Sequence, residues 1–416
     1  MYKKIVACVL TLTMMLSVSP VLAKQKSETV KSGTVNSITN EYKKATLKAN
    51  TKLNASISNK SAYKSITEAG TTARKQVYDH KGTVVVKLKS KSAEYQKVFE
   101  SLEKVIYAET ASSSQGDFMK WDVDETETEF SAKKSGSYYY YTVTMHIDYL
   151  TTLSERKKLD ARVDEVISSF KFTNKTSTHE KIKKVYDYVC ENVSYAKSSS
   201  NEKVYSAYSA LINKKAVCQG YATLIYKMYR TLGISTRVIA GNSSFSGDNH
   251  GWNIVKLGSY FYNIDATWDS TLKHANKSYN YFLKGDSFKG HTRWSEYNTY
   301  SFYYNYPMAA KAYSSKVAAK ACSKTKIANF KNKKPKFKSV SRKKVVFKKI
   351  KNATYQFKYS GVNNFKKKYT ITVNTKKTKY KLKKLRKGVT YWVKFRTRKK
   401  IGSKKYYSKW SAIKAI

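Results

Sequence analysis

The chain has few cysteines, prolines and acidic residues, and it lacks a long apolar run. Its 416 residues include four cysteines and three prolines. So few cysteines exclude a fold held together by a disulfide framework. No stretch is long and apolar enough for a transmembrane helix, so we expect no transmembrane anchor. Glu296 is the last acidic residue, which leaves the C-terminal part of the chain without negative side chains.

The first residues have the pattern of a secretory signal. Two early lysines precede a short apolar run at residues 5–18, and residues 21–23 (Val-Leu-Ala) form a small-residue cleavage site. This pattern predicts a signal peptide over residues 1–23 and a mature chain that begins at Lys24. Because Cys8 lies inside the apolar run and not at its end, we expect no lipoprotein anchor. The prediction is a secreted protein, extracellular or associated with the cell wall.

The positive charge is large and unevenly placed. Lysine and arginine number 81 against 28 acidic residues, which gives a net charge of +53. Residues 324–416 alone hold 34 lysines and arginines and no acidic residue. Such a field attracts polyanions. For a secreted protein we expect anionic cell-wall polymers or membrane headgroups as partners, and no nucleic acid. A solvated, lysine-rich surface without a dedicated partner is the alternative.

Composition and periodicity divide the mature chain into four parts. Residues 24–80 are rich in Ser, Thr, Lys and Asn without a lasting apolar period, which predicts a flexible linker. Residues 81–175 have the order β-α-β-β-α of a small α+β domain, with strand-like alternation over 118–130. A second α+β domain is predicted over 176–323. Short aromatic and β-branched strands over 324–416 predict a β-sandwich.

A cysteine, a histidine and an aspartate follow one another in the second α+β domain. Cys218 opens a predicted helix, His250 lies on a predicted strand, and Asp265 ends the next strand. A cysteine is a strong nucleophile as the thiolate, which a neighbouring imidazole and a helix N-terminus favour. Each residue alone is weak evidence, because a lone cysteine in a helix or a lone histidine on a strand is usually part of the core.

The hairpin geometry makes the combination more specific. A two-residue turn at Gly258 and Ser259 places Asp265 opposite Trp252 and diagonal to His250 on the same face of the sheet. The aspartate can then hold the imidazole in one orientation while the other ring nitrogen faces a thiol. A shift of one residue in this register would place the two side chains on opposite faces.

Four segments resemble the bacterial transglutaminase-like superfamily, whose papain-related folds use a Cys-His-Asp triad. They are VCQGYA at 217–222, GI at 233–234, HGWN at 250–253 and DATW at 265–268, and the resemblance covers residues 177–281. It implies an α+β core in which a helix bearing the cysteine packs on an antiparallel sheet bearing the histidine and the aspartate. By this resemblance Cys218 is the nucleophile, His250 the base and acid, and Asp265 the orienting carboxylate.

Further pocket residues are expected around this triad. The backbone N–H of Cys218 is a natural oxyanion donor, and Tyr208 is a second candidate unless it is only a packed aromatic. Gln219 is a further oxyanion or pocket candidate. Trp252 and Trp268 are expected to wall the pocket, although core packing explains them equally well. The six histidines show no zinc-ligand pairing, so we expect no metal and no cofactor.

The other two cysteines of the mature chain have no assigned chemistry. Cys190 follows Ile182, Val185 and Val189 at helical spacing, which predicts a core position. A disulfide between Cys190 and Cys322 stays open at this point.

The basic C-terminal segment resembles the fibronectin type III sandwiches of secreted bacterial enzymes. Residues 385–393 look like the tyrosine corner of that fold, with Tyr391 as the corner residue. An early core strand lacks the expected tryptophan, and Phe347 stands in its place. The resemblance implies a domain that spaces or attaches the enzyme and does no chemistry.

Together these features predict a secreted thiol enzyme that acts on peptide or peptidoglycan amides through a cysteine thioester. Hydrolysis by a peptidase or amidase is favoured, because many bacterial members of the superfamily look like peptidases. A protein-cross-linking transglutaminase uses the same intermediate and is the first alternative. A non-catalytic, wall-associated scaffold or adhesion protein is the second.

Overall fold

The computed structural model describes residues 33–35, 59–196, 201–270, 279–383, 385–401 and 403–416. The predicted signal peptide and most of the predicted linker lie outside the described residues. The chain divides into two compact units, Met1–Trp294 and Ser295–Ile416. The first unit contains both the predicted small α+β domain and most of the predicted catalytic domain.

The first part of this unit is a four-stranded antiparallel sheet, in the order β1-β3-β4-β2, with two helices packed against it. Residues of β2 alternate between exposed and buried, and the buried ones meet the apolar face of α2 in one core. The elements are β1 (Gly33–Val35), a 3-10 helix (Lys60–Ala62), α1 (Ile66–Tyr78), β2 (Thr83–Ser90), α2 (Tyr95–Ile106), α3 (Asp117–Asp122), β3 (Val123–Ser135), β4 (Tyr138–Tyr149) and α4 (Leu153–Ser169).

Helix α1 lies within the stretch for which the sequence predicts a linker. It begins with a capping box between Ser65 and Glu68, and it buries small residues, among them Gly70 and Ala73. An added Cβ at Gly70 would lie 2.6 Å from side-chain atoms of Val105 on α2. Helices α1 and α2 therefore approach closely because the glycine lacks a side chain. Small residues give a weak apolar period, which explains why composition alone predicts a linker.

A helix also replaces the first part of the strand predicted over 118–130. Helix α3 ends at Asp122, and β3 begins at Val123. Asp117 starts this helix, and its carboxylate binds Arg237 through Nε at 2.6 Å and Nη2 at 2.8 Å, and the backbone N–H of Val238 at 2.7 Å. These partners are about 120 residues away in sequence. The alternation of apolar and polar residues around 118–122 therefore could not predict helix α3.

The second part of the unit packs the long helix α7 against an antiparallel sheet of order β10-β7-β8-β9. This arrangement confirms the predicted α+β class. A capping box between Ser177 and Glu180 begins α5, as the sequence predicts. The elements are α5 (Thr178–Asn192), β5 (Ser194–Tyr195), a 3-10 helix (Glu202–Tyr205), α6 (Ala207–Leu211), β6 (Lys215–Ala216), α7 (Cys218–Thr231), β7 (Thr236–Ser243), β8 (Asn249–Leu257), β9 (Tyr260–Ile264) and β10 (His291–Arg293).

Buried polar contacts join the two parts of the first unit. The Gln219 side-chain amide donates to the carbonyl oxygen of Trp121 at 3.0 Å. The Tyr226 hydroxyl on α7 donates to Glu109 at 2.8 Å, and burial together with Asp117 raises the pKa of Glu109 to about 7. Buried polar groups are costly unless they are paired, so these contacts fix the N-terminal layer on the helix that carries Cys218.

The second unit is rich in β-structure. A sheet of β11, β12 and β15 and a sheet of β14, β13, β16 and β17 share one core, and β18 pairs with β16. Phe347 lies in this core and stacks on Tyr355 at 4.9 Å. The elements are a 3-10 helix (Ser295–Asn298), α8 (Tyr300–Asn305), α9 (Ser323–Asn332), β11 (Phe337–Val340), β12 (Lys344–Phe347), β13 (Ala353–Ser360), a 3-10 helix (Lys367–Tyr369), β14 (Thr370–Thr375), β15 (Lys379–Lys381), β16 (Trp392–Ile401), β17 (Lys404–Tyr407) and β18 (Lys414–Ala415).

The three described cysteines are buried and none is in a disulfide. Cys190 is a core residue of α5, as predicted, with Sγ 3.7 Å from the carbonyl oxygen of Ala266. Cys322 caps α9, where its sulfur accepts the backbone N–H of Thr325 at 3.4 Å. Within the described residues, no helix combines the length and apolar character needed to cross a membrane.

Candidate active site

Cys218 is the first residue of α7, directly after the N-cap residue Val217. It is 6% exposed. The first N–H groups of a helix have no acceptor within the helix, and their positive ends favour an anion there. An added Cβ at Gly220 would lie 2.9 Å from the carbonyl oxygens of Val204 and Ser206. The glycine therefore lets the start of the helix pack closely against the preceding segment.

The β8–β9 hairpin brings His250 and Asp265 together. Leu257 pairs with Tyr260 and Asn253 with Ile264, which confirms the register predicted from the turn. Asp265 follows the last residue of β9, and its Oδ2 lies 2.8 Å from His250 Nε2. Both side chains are buried. The diagonal placement expected from the hairpin thus becomes a direct hydrogen bond.

The orientation of the imidazole leaves its second nitrogen for the thiol. Because Nε2 faces Asp265, Nδ1 is the ring nitrogen that remains, and Cys218 is near enough to contribute to the raised pKa of His250. Three residues from separate segments are therefore brought to one site. This is the arrangement that lets a histidine exchange a proton with a cysteine while the carboxylate fixes the ring.

The electrostatics of the site favour a charged imidazole. Burial opposes the positive charge, but the Asp265 carboxylate and Cys218 outweigh burial and raise the pKa of His250 to about 10. Burial also opposes the charge on Asp265, yet His250 and His291 hold the pKa of that carboxyl well below its usual range. The pair is thus a buried carboxylate and a buried imidazolium. Their attraction is strong in a low-dielectric interior, but removing either partner leaves the other as an unpaired buried charge.

Asp265 is held on every polar atom. Its Oδ1 accepts the backbone N–H groups of Thr267 at 2.9 Å and Trp268 at 3.3 Å, at the start of the helical turn over residues 266–270. The Tyr186 hydroxyl of α5 lies 2.7 Å from the Asp265 carbonyl oxygen. The carboxylate therefore keeps one orientation, which in turn orients His250.

His291 is a site residue that the motifs do not identify. It lies on β10 at the edge of the sheet, with Nε2 3.1 Å from Asp265 Oδ2. The residues that resemble the superfamily end ten positions earlier, at Tyr281, and no spacing rule links a histidine at 291 to the triad. The pairing of β10 with β7, in which Arg293 faces Gly241, brings it there.

The other predicted pocket residues lie in different settings. Trp268 stacks on His250 with ring centres 4.7 Å apart. Trp252, two residues after His250 on β8, also stacks on it, with ring centres 6.1 Å apart. The Trp252 indole N–H donates to Asn263 at 3.2 Å. Gln219 points its amide towards Trp121, and Tyr208 is half-buried on α6. The two tryptophans therefore adjoin the imidazole, while the oxyanion roles of Tyr208 and Gln219 stay predictions.

In the described part of the chain, one group of His, Cys, Asp and Glu side chains is compact enough for a metal ion. It consists of His250, Asp265 and His291. The same atoms already make the hydrogen bonds given above, at 2.8 and 3.1 Å. A metal bound to them would take Nε2 of His250 and the carboxylate out of the contact that orients the triad, so this group is better described as a hydrogen-bond network.

The raised pKa of His250 leads to a prediction for Asp265→Asn. Removing the carboxylate leaves burial as the dominant influence, so the pKa of His250 should fall from about 10 to below its ordinary value near 6.5. In the wild type the stabilisation from the charged ring is complete below about pH 6.5 and is lost towards pH 10. Nuclear magnetic resonance of ring-labelled histidine, assigned with His250→Gln, measures both values. An unchanged pKa in Asp265→Asn would contradict this account.

Comparisons with known proteins find similarity over part of the chain. Residues 168–266 match the family model of the transglutaminase-like superfamily, a segment that includes Cys218, His250 and Asp265. The chain is 29% identical over 123 residues to kyphoscoliosis peptidase of Homo sapiens, covering 26% of this chain and 18% of that protein. It is 30% identical over 117 residues to the Mus musculus protein, covering 25% and 18%. The chain thus spans about a fifth of the length of these relatives.

Two solved structures are similar over part of the chain. The crystal structure of a TGase is 19% identical and covers 33% of this chain and 44% of that one, with a TM-score of 0.25. The periplasmic domain of TgpA from Pseudomonas aeruginosa, bound to ethylmercury, is 13% identical and covers 36% and 74%, with a TM-score of 0.22. The family match and the sheets described above give a mixed α+β fold with a transglutaminase-like core, and a β-rich region follows that core in the chain.

Proposed function

We propose that this protein is a thiol enzyme that cleaves or transfers acyl groups at peptide or peptidoglycan amides. The observation that carries the proposal is the buried 2.8 Å contact between His250 and Asp265, in a site where Cys218, at the start of α7, adds to the raised pKa of His250. A cysteine in this setting can act as a nucleophile, whereas a purely structural cysteine needs neither the imidazole nor the carboxylate.

The chemistry follows from the positions of these groups. With the thiol proton on His250, which is then an imidazolium, the Cys218 thiolate adds to the amide carbonyl. The backbone N–H of Cys218 stabilises the oxyanion. The imidazolium then gives its proton to the departing amine, which leaves a thioester on Cys218. Water attacks this thioester, with His250 as the base, and releases a carboxylic acid and the free thiol. If an amine attacks instead, the product is a new amide.

Hydrolysis is favoured over amine transfer. The turn between β7 and β8 contains one acidic residue, Asp248, and one aromatic residue, Phe245. Phe245 is 64% exposed and packs on Trp268 with ring centres 5.6 Å apart. One carboxylate and one exposed aromatic ring provide few contacts to bind and desolvate a cationic amine. The positive charge of a lysine-rich protein also repels such an amine. The remaining alternative, a non-catalytic scaffold, does not require a raised pKa on a buried His250.

The product distribution tests the reaction class. We expect the full-length protein, given a peptide amide and an excess of a primary amine, to release ammonia or peptide without an amine adduct. Cys218→Ala should lower turnover by about 10³-fold or more, since nucleophile removal disables the whole catalytic unit. Mass spectrometry of the products is the measurement, with Cys322→Ser as the matched cysteine control. A dominant amine adduct that depends on Cys218 would make the enzyme a transferase. Equal turnover in Cys218→Ala would exclude the thiol mechanism.

The site of action is proposed to be outside the cytoplasm. The charged start, apolar run and small-residue cleavage site within residues 1–23 support export. An extracytoplasmic location also fits a substrate in peptides or peptidoglycan of the cell wall.

The second unit is proposed to be a basic, fibronectin type III-like domain that attaches the enzyme to an anionic cell-wall polymer. A three-stranded sheet and a five-stranded sheet that share one core support this proposal. The Tyr391 hydroxyl accepts the backbone N–H of Arg386 at 3.2 Å, which is the contact of a tyrosine corner. Lys358 and Lys394 are direct cross-strand partners, and both lie over the Trp410 ring. Adjacent cations of this kind suit a repeating polyanion.

Binding through charge alone has a distinct salt dependence. The full-length protein should sediment with purified cell walls at low salt and be released near 1 M salt, where the Debye length falls to about 3 Å. The double variant Lys358→Gln/Lys394→Gln should need less salt for release than Lys157→Gln/Lys158→Gln, which removes the same charge from exposed positions of α4. Binding that survives high salt would indicate a specific ligand pocket, and equal release of both variants would exclude this pair as the contact.

A further inference from the structure

Two imidazoles meet on one carboxylate oxygen. Asp265 Oδ2 lies 2.8 Å from His250 Nε2 and 3.1 Å from His291 Nε2. The proposed reaction uses His250 for proton transfer and gives His291 no part. The His291 side chain is nevertheless completely buried. Burying a second imidazole beside the carboxylate needs a reason, because a buried polar ring is costly unless its hydrogen bonds are made.

The surroundings of His291 hold its ring in one place. Phe288 stacks on it with ring centres 3.8 Å apart and planes 16° from parallel. Trp268 and Trp252 contact it from other sides at 4.2 and 4.8 Å. Gly290, with φ at +83°, turns the chain just before it, and an added Cβ there would lie 2.6 Å from Trp268. The ring is therefore preorganised towards Asp265.

Each ring nitrogen of His291 lies within hydrogen-bond distance of an oxygen atom. Its Nδ1 lies 2.9 Å from the carbonyl oxygen of Lys289, and its Nε2 faces the carboxylate. The carboxylate oxygen only accepts, so Nε2 of His291 is the donor in its contact with Asp265. The titratable groups that face this ring are Asp265, His250 at 5.3 Å and Tyr281 at 5.8 Å between ring centres. The ring thus presents a donor to the same oxygen that His250 uses.

We propose that His291 is a positioning residue, which shares Asp265 Oδ2 with His250 and so keeps the imidazole of His250 directed at Cys218. This inference rests on the proposed thiol chemistry. The side-chain hydrogen bonds of His291 are to Asp265 and to the carbonyl oxygen of Lys289. His291 acts through the carboxylate, whose Oδ1 is already fixed by the helical turn after it. With Oδ2 also bonded twice, rotation of the carboxylate would break several hydrogen bonds at once.

The test compares a variant that keeps a donor with one that does not. His291→Gln retains an N–H at a similar distance from the backbone, whereas His291→Phe keeps the aromatic packing and donates nothing. Loss of one hydrogen bond to a buried charge corresponds to about a 10- to 100-fold change. We expect His291→Phe to lower kcat and the rate of Cys218 alkylation by iodoacetamide by about this factor, with KM nearly unchanged. His291→Gln should stay within about threefold of the wild type.

The outcomes separate positioning from packing. If His291→Gln loses as much as His291→Phe, or if neither loses anything, the inference is wrong. In an Asp265→Asn background His291→Phe should have almost no further effect, since the carboxylate through which it acts is gone; additive losses would also overturn the inference. His291→Leu replaces His291→Phe if circular dichroism shows that the latter is unfolded.

The alkylation rate also separates this inference from the proposed function. It needs no substrate, so it reports on His291 even if no amide is cleaved. If no Cys218-dependent turnover is found, the proposed function is contradicted, while the inference about His291 is not affected. Equal alkylation rates in the wild type and His291→Phe, with normal turnover, would contradict the role of His291 alone.

Discussion

The buried hydrogen bond between His250 and Asp265 is the contact on which the rest of the site depends. A carboxylate that is 1% exposed is tolerated only with partners that compensate for its lost hydration. The structure supplies them from three segments: the imidazole on β8, the backbone N–H groups after β9, and the imidazole on β10. The same partners restrict the carboxylate to one orientation, which in turn fixes the orientation of the imidazole of His250.

The chain joins this pair to the nucleophile by packing a helix on a sheet. Helix α7 places Cys218 at its N-terminus, and the Asn253 side chain of β8 donates to the carbonyl oxygen of Ala222 on that helix at 2.9 Å. The N-terminal layer supports the same helix through the contact between Gln219 and Trp121. The small α+β layer therefore contributes to the rigidity of the site without supplying a residue of the triad.

Local signals predict the parts of the site that depend on neighbours in sequence. The register of the β8–β9 hairpin follows from its two-residue turn, and with it the approach of Asp265 to His250. The start of α7 and the core position of Cys190 follow from motif and periodicity. Helix α3 and the place of His291 could not be predicted in this way, because Asp117 and His291 are fixed by partners on distant segments, Arg237 and strand β7.

The central claim is that Cys218 carries the acyl group of the substrate as a thioester. The most direct measurement is intact-protein mass spectrometry after rapid acid quenching of the full-length protein with an activated acyl donor, followed by peptide mapping. The account predicts one acyl group on Cys218, removable by hydroxylamine, and none in Cys218→Ala. An acyl group found on Cys190 or Cys322, or no covalent intermediate during turnover, would contradict it.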